Sequence, residues 1–254
     1  MNILKFFIMA TLGICIGAFL YGAIYKAYAD KQAINTLLFS TTAEWDPLVY
    51  AQKTIRNPIV GESAFEIELP LPPRNSSRET KNELAYMHEL ETKRTTAQLI
   101  EIERELALEG AFFGTKTYGD IVQERPVTSV LLMRVLAEIS GIVITKKEHF
   151  DRVRANKLDE TLHPAISVPG HPAYPSGHAT QSMIIALVLG DLDPASADAY
   201  KGSAFRIAHN REIAGVHYPS DSTAGQQLAE AYFDLLKNNA EYQKLRDAAK
   251  AEWE

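Results

Sequence analysis

Apolar positions along this chain recur at helical spacing, and the alternation that marks a strand is weak throughout. Leu131, Leu132, Val135, Leu136 and Ile139 give one apolar face to a helix expected over Ser129–Arg154. Tyr86, Leu90, Ala97, Ile100 and Leu106 give a less regular face to a charged helical stretch over Lys81–Leu108. Met183 to Leu189 continues in apolar residues a helix that opens at a Pro-Ser-Gly turn, and Ala195–Val216 and Ser222–Lys250 complete the helical part. Leu158–Tyr174 carries Pro164, Pro169, Gly170 and Pro172 and reads as a loop, while Glu68-Leu-Pro-Leu-Pro-Pro73 reads as an extended connector. No internal repeat is present. The expectation is all-α, a single helical-bundle domain over 81–254, preceded by an N-terminal extension and proline-rich connector over 30–80.

The first 29 residues read as a targeting segment. Lys5 precedes an apolar run from Phe6 to Tyr25, and Ala27-Tyr-Ala29 before Asp30 has the small-x-small form of a signal-peptidase site. The run is also long enough to span a bilayer, so an uncleaved anchor rivals a cleaved leader. Either way the catalytic region is expected outside the cytoplasmic membrane, periplasmic or secreted. No other apolar run approaches membrane length, since Val130 to Ile144 is interrupted by Arg134, Glu138 and Ser140.

Charge and cysteine usage narrow the classes. A net charge of −6 argues against nucleic acid as a main partner, though a local cationic cluster still admits small phosphoesters. The single cysteine, Cys15, lies within the leader, so the mature chain is expected to have no disulfide. No His-Glu-x-x-His or clustered carboxylate motif proposes a metal.

Chemistry concentrates in three places. Ser176, Gly177 and His178 sit at the start of a helix, where unpaired amides and the dipole favour an anion. Arg211, His217 and Asp221 follow, at separations of six and four positions. Upstream, Lys147 and Arg154 lie seven apart, two helical turns, so both are expected on one helix face. Arg125-Pro126 attracts attention too, but no lysine stands seven before it. Taken singly these features are an ordinary turn, a helix cap or a basic helix end; together they suggest phosphoryl transfer without a metal. His149 falls on another face of the predicted helix, His163 and His171 lie in the loop entering the site, and His88 and His209 have no motif support.

With Lys-x6-Arg, Pro-Ser-Gly-His and Arg-x5-His-x3-Asp all in order, the chain resembles the superfamily of type 2 phosphatidic acid phosphatases and vanadium haloperoxidases, and within it the bacterial class A non-specific acid phosphatases. The likeness runs from about Pro70 to the C-terminus, with two departures: Ala155 where the first motif has proline, and Asn210 where the third has serine. Proline there reads as a helix end, so Ala155 is expected to leave the direction after Arg154 less fixed. The resemblance implies the helical bundle of that superfamily and an exported acid phosphatase working through a phosphohistidine. His217 is then the nucleophile, Asp221 its orienting carboxylate and His178 the leaving-group acid; Lys147, Arg154, Ser176, Gly177 and Arg211 hold the phosphate. It implies no metal or other cofactor, with vanadate an inhibitor. In the haloperoxidase alternative vanadate is the cofactor, and a further alternative is a lipid phosphate or pyrophosphate phosphatase. The expected partners are small phosphoesters, with membrane only if the leader is retained, and the resemblance allows a homodimer.

Overall fold

The computed structural model describes residues 23–54 and 58–254. Most of the apolar run Phe6–Tyr25 lies outside the described residues. Residues 23–35 are helical, followed by α1 (Phe39–Thr42) and α2 (Pro47–Tyr50). The main body comprises α3 (Arg78–Lys93), α4 (Thr96–Arg104), a hairpin of β1 (Phe112–Phe113) and β2 (Lys116–Thr117), α5 (Tyr118–Glu124), α6 (Pro126–Phe150) and α7 (Ala155–Leu158). It closes with α8 (Gly177–Leu192), α9 (Ala197–Ile213), α10 (Pro219–Lys237) and α11 (Ala240–Lys250). The architecture is an all-α helical bundle, as the periodicity predicts, with, among the described residues, one short antiparallel hairpin that no alternation announces.

Four expected boundaries move, each for a local reason. The stretch Lys81–Leu108 divides because Thr95 caps α4: its hydroxyl accepts from Gln98 N, and the Gln98 side chain accepts from Thr95 N in return. Ser222–Lys250 divides at Asn239, whose side chain accepts from the amides of Glu241 and Tyr242. Pro126 occupies the first position of α6, where its missing N–H costs nothing, so the helix begins before Ser129. Asp151, at φ 46°, ends α6 in the left-handed conformation, three residues short of Arg154.

α8 is the hub. Its buried set includes Met183, Ile184, Ile185, Val188, Leu189 and Leu192, and it packs against α6, α9 and α10. Gly225 permits the closest of these approaches. A Cβ there would stand 2.6 Å from the Ser176 carbonyl, and at that spacing Ser176 N reaches the Asp221 carbonyl at 2.9 Å. The second and third motifs are thereby held together by backbone.

By length and composition α6 is apolar enough to cross a membrane, contrary to the expectation that no other segment is. Its apolar stripe is part of the core, with Leu131, Leu132, Val135, Ile139 and Ile142 fully buried. It also carries Glu138, 0% exposed, whose carboxylate accepts from the amides of Ile59 (2.6 Å), Val60 (3.1 Å) and Gly61 (2.8 Å) and from the Tyr232 hydroxyl (2.8 Å). This clasp ties the N-terminal extension to two helices. Glu138→Ala should strand several buried donors and destabilise the fold by about 3 kcal/mol or more. Urea unfolding checks the magnitude, and hydrogen exchange should show residues 59–61 losing protection first.

Candidate phosphate-binding active site

Lys147 lies in the last turn of α6 with 1% of its surface exposed, and its ammonium donates to the carbonyls of Pro172 (2.7 Å) and Ala173 (3.2 Å). Burial, then the neighbouring Arg154, pushes this ammonium well below the usual lysine range. Arg154 is not on that helix. It follows the turn at Asp151 and precedes α7, so the expected two-turn alignment is wrong. The two cations converge by another route, through one loop. Arg154 donates to the His171 carbonyl (3.0 Å) and to the Pro172 carbonyl that Lys147 also meets (3.3 Å). Ala155, buried, is the first residue of α7, a position that starts a helix and suits proline. Its departure therefore leaves the backbone course intact.

Hydrogen bonding assigns the His217 tautomer. Arginine only donates, so the contact from Arg154 to His217 Nε2 (3.4 Å) makes that nitrogen a lone-pair acceptor. His217 Nδ1 then carries the proton and donates to Asp221 Oδ2 at 3.1 Å, and the same oxygen accepts from Tyr218 N at 3.0 Å. Burial, followed by Arg154 and Lys147, pushes His217 far below the usual histidine range, which favours the neutral imidazole with Nε2 unprotonated. His171 Nδ1 lies 3.0 Å from Arg154 Nη2 and 3.1 Å from the Pro172 carbonyl, two contacts that favour opposite tautomers.

Ser176 caps α8, accepting weakly from Ala179 N (3.4 Å), and leaves the first amides of the helix unpaired within it. His178 Nε2 donates to the Glu105 carbonyl at 3.0 Å. Burial first, then Arg211, lowers His178 to about 4. Arg211, 1% exposed, donates through Nη2 to the Ile102 carbonyl and to Glu105 Oε2, both at 3.1 Å. Its Nε and Nη1 are buried with no protein partner, an arrangement that calls for an anion. Asn210 donates to the same Glu105 oxygen at 3.0 Å, so the longer side chain at that motif position is spent on a carboxylate.

Lys147, Gly177, His178, Arg211 and His217 all line one cavity of about 360 Å³. Arg154, Ser176 and Asp221 are buried beside it: Arg154 and Asp221 meet His217, and Ser176 adjoins Gly177. The remaining wall includes His171 from the loop, Leu106 and Ile166, and also Val49 and Gln52 from the N-terminal extension. A larger groove of about 740 Å³, lined by Leu71, Arg78, Glu83 and Gln227 among others, holds none of the motif residues. Arg125 lies elsewhere, stacked 4.0 Å over Trp253, and Lys116 pairs with Glu124. His149 is exposed against Phe150, His88 meets Asp159, His163 meets Glu91 and His209 meets Glu212. Among the described residues no group of three His, Cys, Asp or Glu side chains is arranged to hold a metal.

No protein-family model matches the sequence. Over 81 residues it is 33% identical to a non-specific acid phosphatase of Providencia stuartii, a match covering 32% of this chain and 33% of that protein. Over 72 residues it is 33% identical to a non-specific acid phosphatase of Salmonella typhi, covering 28% and 29%. The chain thus matches about a third of the length of these relatives. In structure it superposes on a bacterial vanadium-dependent iodoperoxidase with TM-score 0.60 and 17% identity, over 84% of this chain and 64% of that one, a likeness of fold. In its motifs, its matched stretch and its fold, the chain is similar to the superfamily of type 2 phosphatidic acid phosphatases and vanadium haloperoxidases.

Proposed function

We propose that this protein is an exported acid phosphatase that hydrolyses phosphomonoesters through a phosphohistidine without a metal. The observation that carries the reading is that one cavity is lined both by His217, whose Nε2 is the unprotonated nitrogen, and by Arg211, which keeps two nitrogens without a protein partner. Arg211, Lys147 and the Gly177 amide hold the phosphate oxygens and oppose the charge that builds up on them in the transition state. Arg154, beside His217 Nε2, holds the loop through the His171 and Pro172 carbonyls, and Ser176 caps the helix start that presents the Gly177 amide.

His217 Nε2 attacks phosphorus, and the bond to the ester oxygen breaks as that oxygen takes a proton from His178. The Glu105 carbonyl keeps the His178 Nε2 proton in place, so Nδ1 is the nitrogen that gives and regains the mobile one. A water that loses its proton to Nδ1 then attacks the phosphohistidine, releasing inorganic phosphate and free His217. His178 is neutral in the free site at pH 7, and the negative charge of a bound ester opposes Arg211 and Lys147, so binding draws the proton on. An acidic optimum follows.

A panel of phosphomonoesters, pyrophosphate and lipid phosphates, assayed with chelator from acidic to neutral pH, tests the reading. The expected result is monoester hydrolysis unaffected by chelator and falling towards neutrality. Loss in chelator with recovery on one divalent ion would overturn it. Vanadate would be held by the same cations and His217 Nε2 and would supply peroxide-dependent halide oxidation; turnover of halide with no phosphate release would favour that second reading. For the leader, intact-mass analysis of extracytoplasmic protein should find a chain starting at Asp30, whereas residues 6–25 retained in membranes would mean an anchor.

A further inference from the structure

Arg152 lies between the two motif cations in sequence but points away from the phosphate cavity. Its guanidinium, 4% exposed at residue level, donates to Asp221 Oδ1 at 2.6 Å, to the Ser220 hydroxyl at 2.7 Å and to Glu83 Oε2 at 2.9 Å. It stacks 3.8 Å from the ring centre of Tyr218. Glu83 Oε1 accepts in turn from Ser220 N at 2.7 Å. A buried line therefore runs Glu83, Arg152, Asp221, His217, joining α3 to the first and third motifs. The carboxylate that faces His217 has a cation on its other oxygen, and that cation has a second carboxylate behind it.

We propose that Arg152, braced by Glu83, is a positioning residue for the nucleophile: it aims the Asp221 carboxylate and offsets its charge, so that His217 stays neutral and open at Nε2. The proposal rests on reading His217 as the nucleophile. A bare buried aspartate would hold an extra proton on the imidazole, and a protonated Nε2 cannot attack phosphorus. A carboxylate tempered by an arginine keeps the Nδ1 proton oriented without that penalty, and leaves a less basic imidazole to depart when water takes the phosphoryl group. Other groups also face the pair. Lys147, Arg154, His178 and Arg211 surround His217, with His171 beside Arg154, while Tyr174, Tyr218 and Glu212 face Asp221. Of the cations, Arg152 is the one hydrogen-bonded to Asp221 among the described contacts.

The test changes the charge at each end of the line. In Arg152→Gln, the low-pH limb of phosphoenzyme formation, followed by rapid quench, should move up by about one pH unit or more. In Glu83→Gln, which leaves Arg152 less neutralised, the limb should move the other way. Arg152→Lys, which keeps the charge, should bring it back towards wild type, and KM should change little in all three. A merely structural role lowers the rate without moving the limb. Nitrogen-15 NMR of labelled histidine reads the His217 titration directly and needs no turnover; it should rise in Arg152→Gln. Should Arg152→Gln fail to fold, Glu83→Gln and Arg152→Lys still carry the opposed predictions. Limbs and His217 titrations that stay put, or move in the same direction in both charge variants, would overturn the proposal. Wild-type protein forming no phosphoenzyme would instead remove the nucleophile assignment, with the NMR result still deciding what Arg152 does to His217.

Discussion

His217→Ala is expected to form no phosphoenzyme and to lose at least about a thousandfold in turnover, since the covalent route has no other nucleophile. His178→Ala should behave differently. It lacks the proton donor and the base but keeps Nε2 of His217 in place, so it should still be labelled by an ester with a good leaving group. Its loss should be about 10²- to 10⁴-fold with alkyl esters, and much smaller in the first step with an aryl ester whose alcohol leaves unaided. Rapid-quench labelling with radioactive substrate separates the two variants. A label that persists in His217→Ala and maps to His178 would reverse the roles. The geometry behind the expectation is unequal hydrogen bonding: His217 is tied through Nδ1 to a carboxylate, and His178 through Nε2 to a carbonyl.

Arg211→Ala should lower kcat/KM by about 10²- to 10³-fold, because Arg211 is the buried cation with donors to spare. Arg211→Lys should recover only part of this, as an ammonium cannot grip two oxygens in a plane. The pH profile should respond as well. Arg211 helps push His178 down, so removing its charge should move the His178 titration upwards and extend activity towards neutral pH. Arg125→Ala is the control, expected to stay within about twofold of wild-type turnover and to cost at most about 1 kcal/mol of stacking on Trp253. If Arg125→Ala abolishes turnover while Arg211→Ala does not, the phosphate site has been placed on the wrong residues.

The bundle and the cavity cations were legible in sequence because each rests on a short local pattern. The apolar run from Met183 and the Pro-Ser-Gly turn before it define α8 and its start, and the spacing from Arg211 to Asp221 spans the turn between two helices. Lys147 and Arg154 were found for a reason that fails: two helical turns do not join them, and a shared loop carbonyl does. Periodicity cannot register a single left-handed residue such as Asp151. Pro126, beside Arg125, marks the start of the longest helix among the described residues, a signal of structure rather than chemistry. Arg152 was invisible for a different reason. Its partner Glu83 lies 69 residues away, and no spacing rule connects two side chains that meet only in the folded interior.

Val49 and Gln52 form part of the cavity wall, although the groups proposed for the chemistry come from α6 onwards. Part of the wall is thus written in a stretch of chain separate from the machinery. An insertion or deletion near residue 50 can reshape which alcohols reach the phosphate cradle while leaving every cation and both histidines where they are. Selectivity in this molecule can drift on its own clock, and two descendants with identical motifs can diverge in diet before they diverge in mechanism.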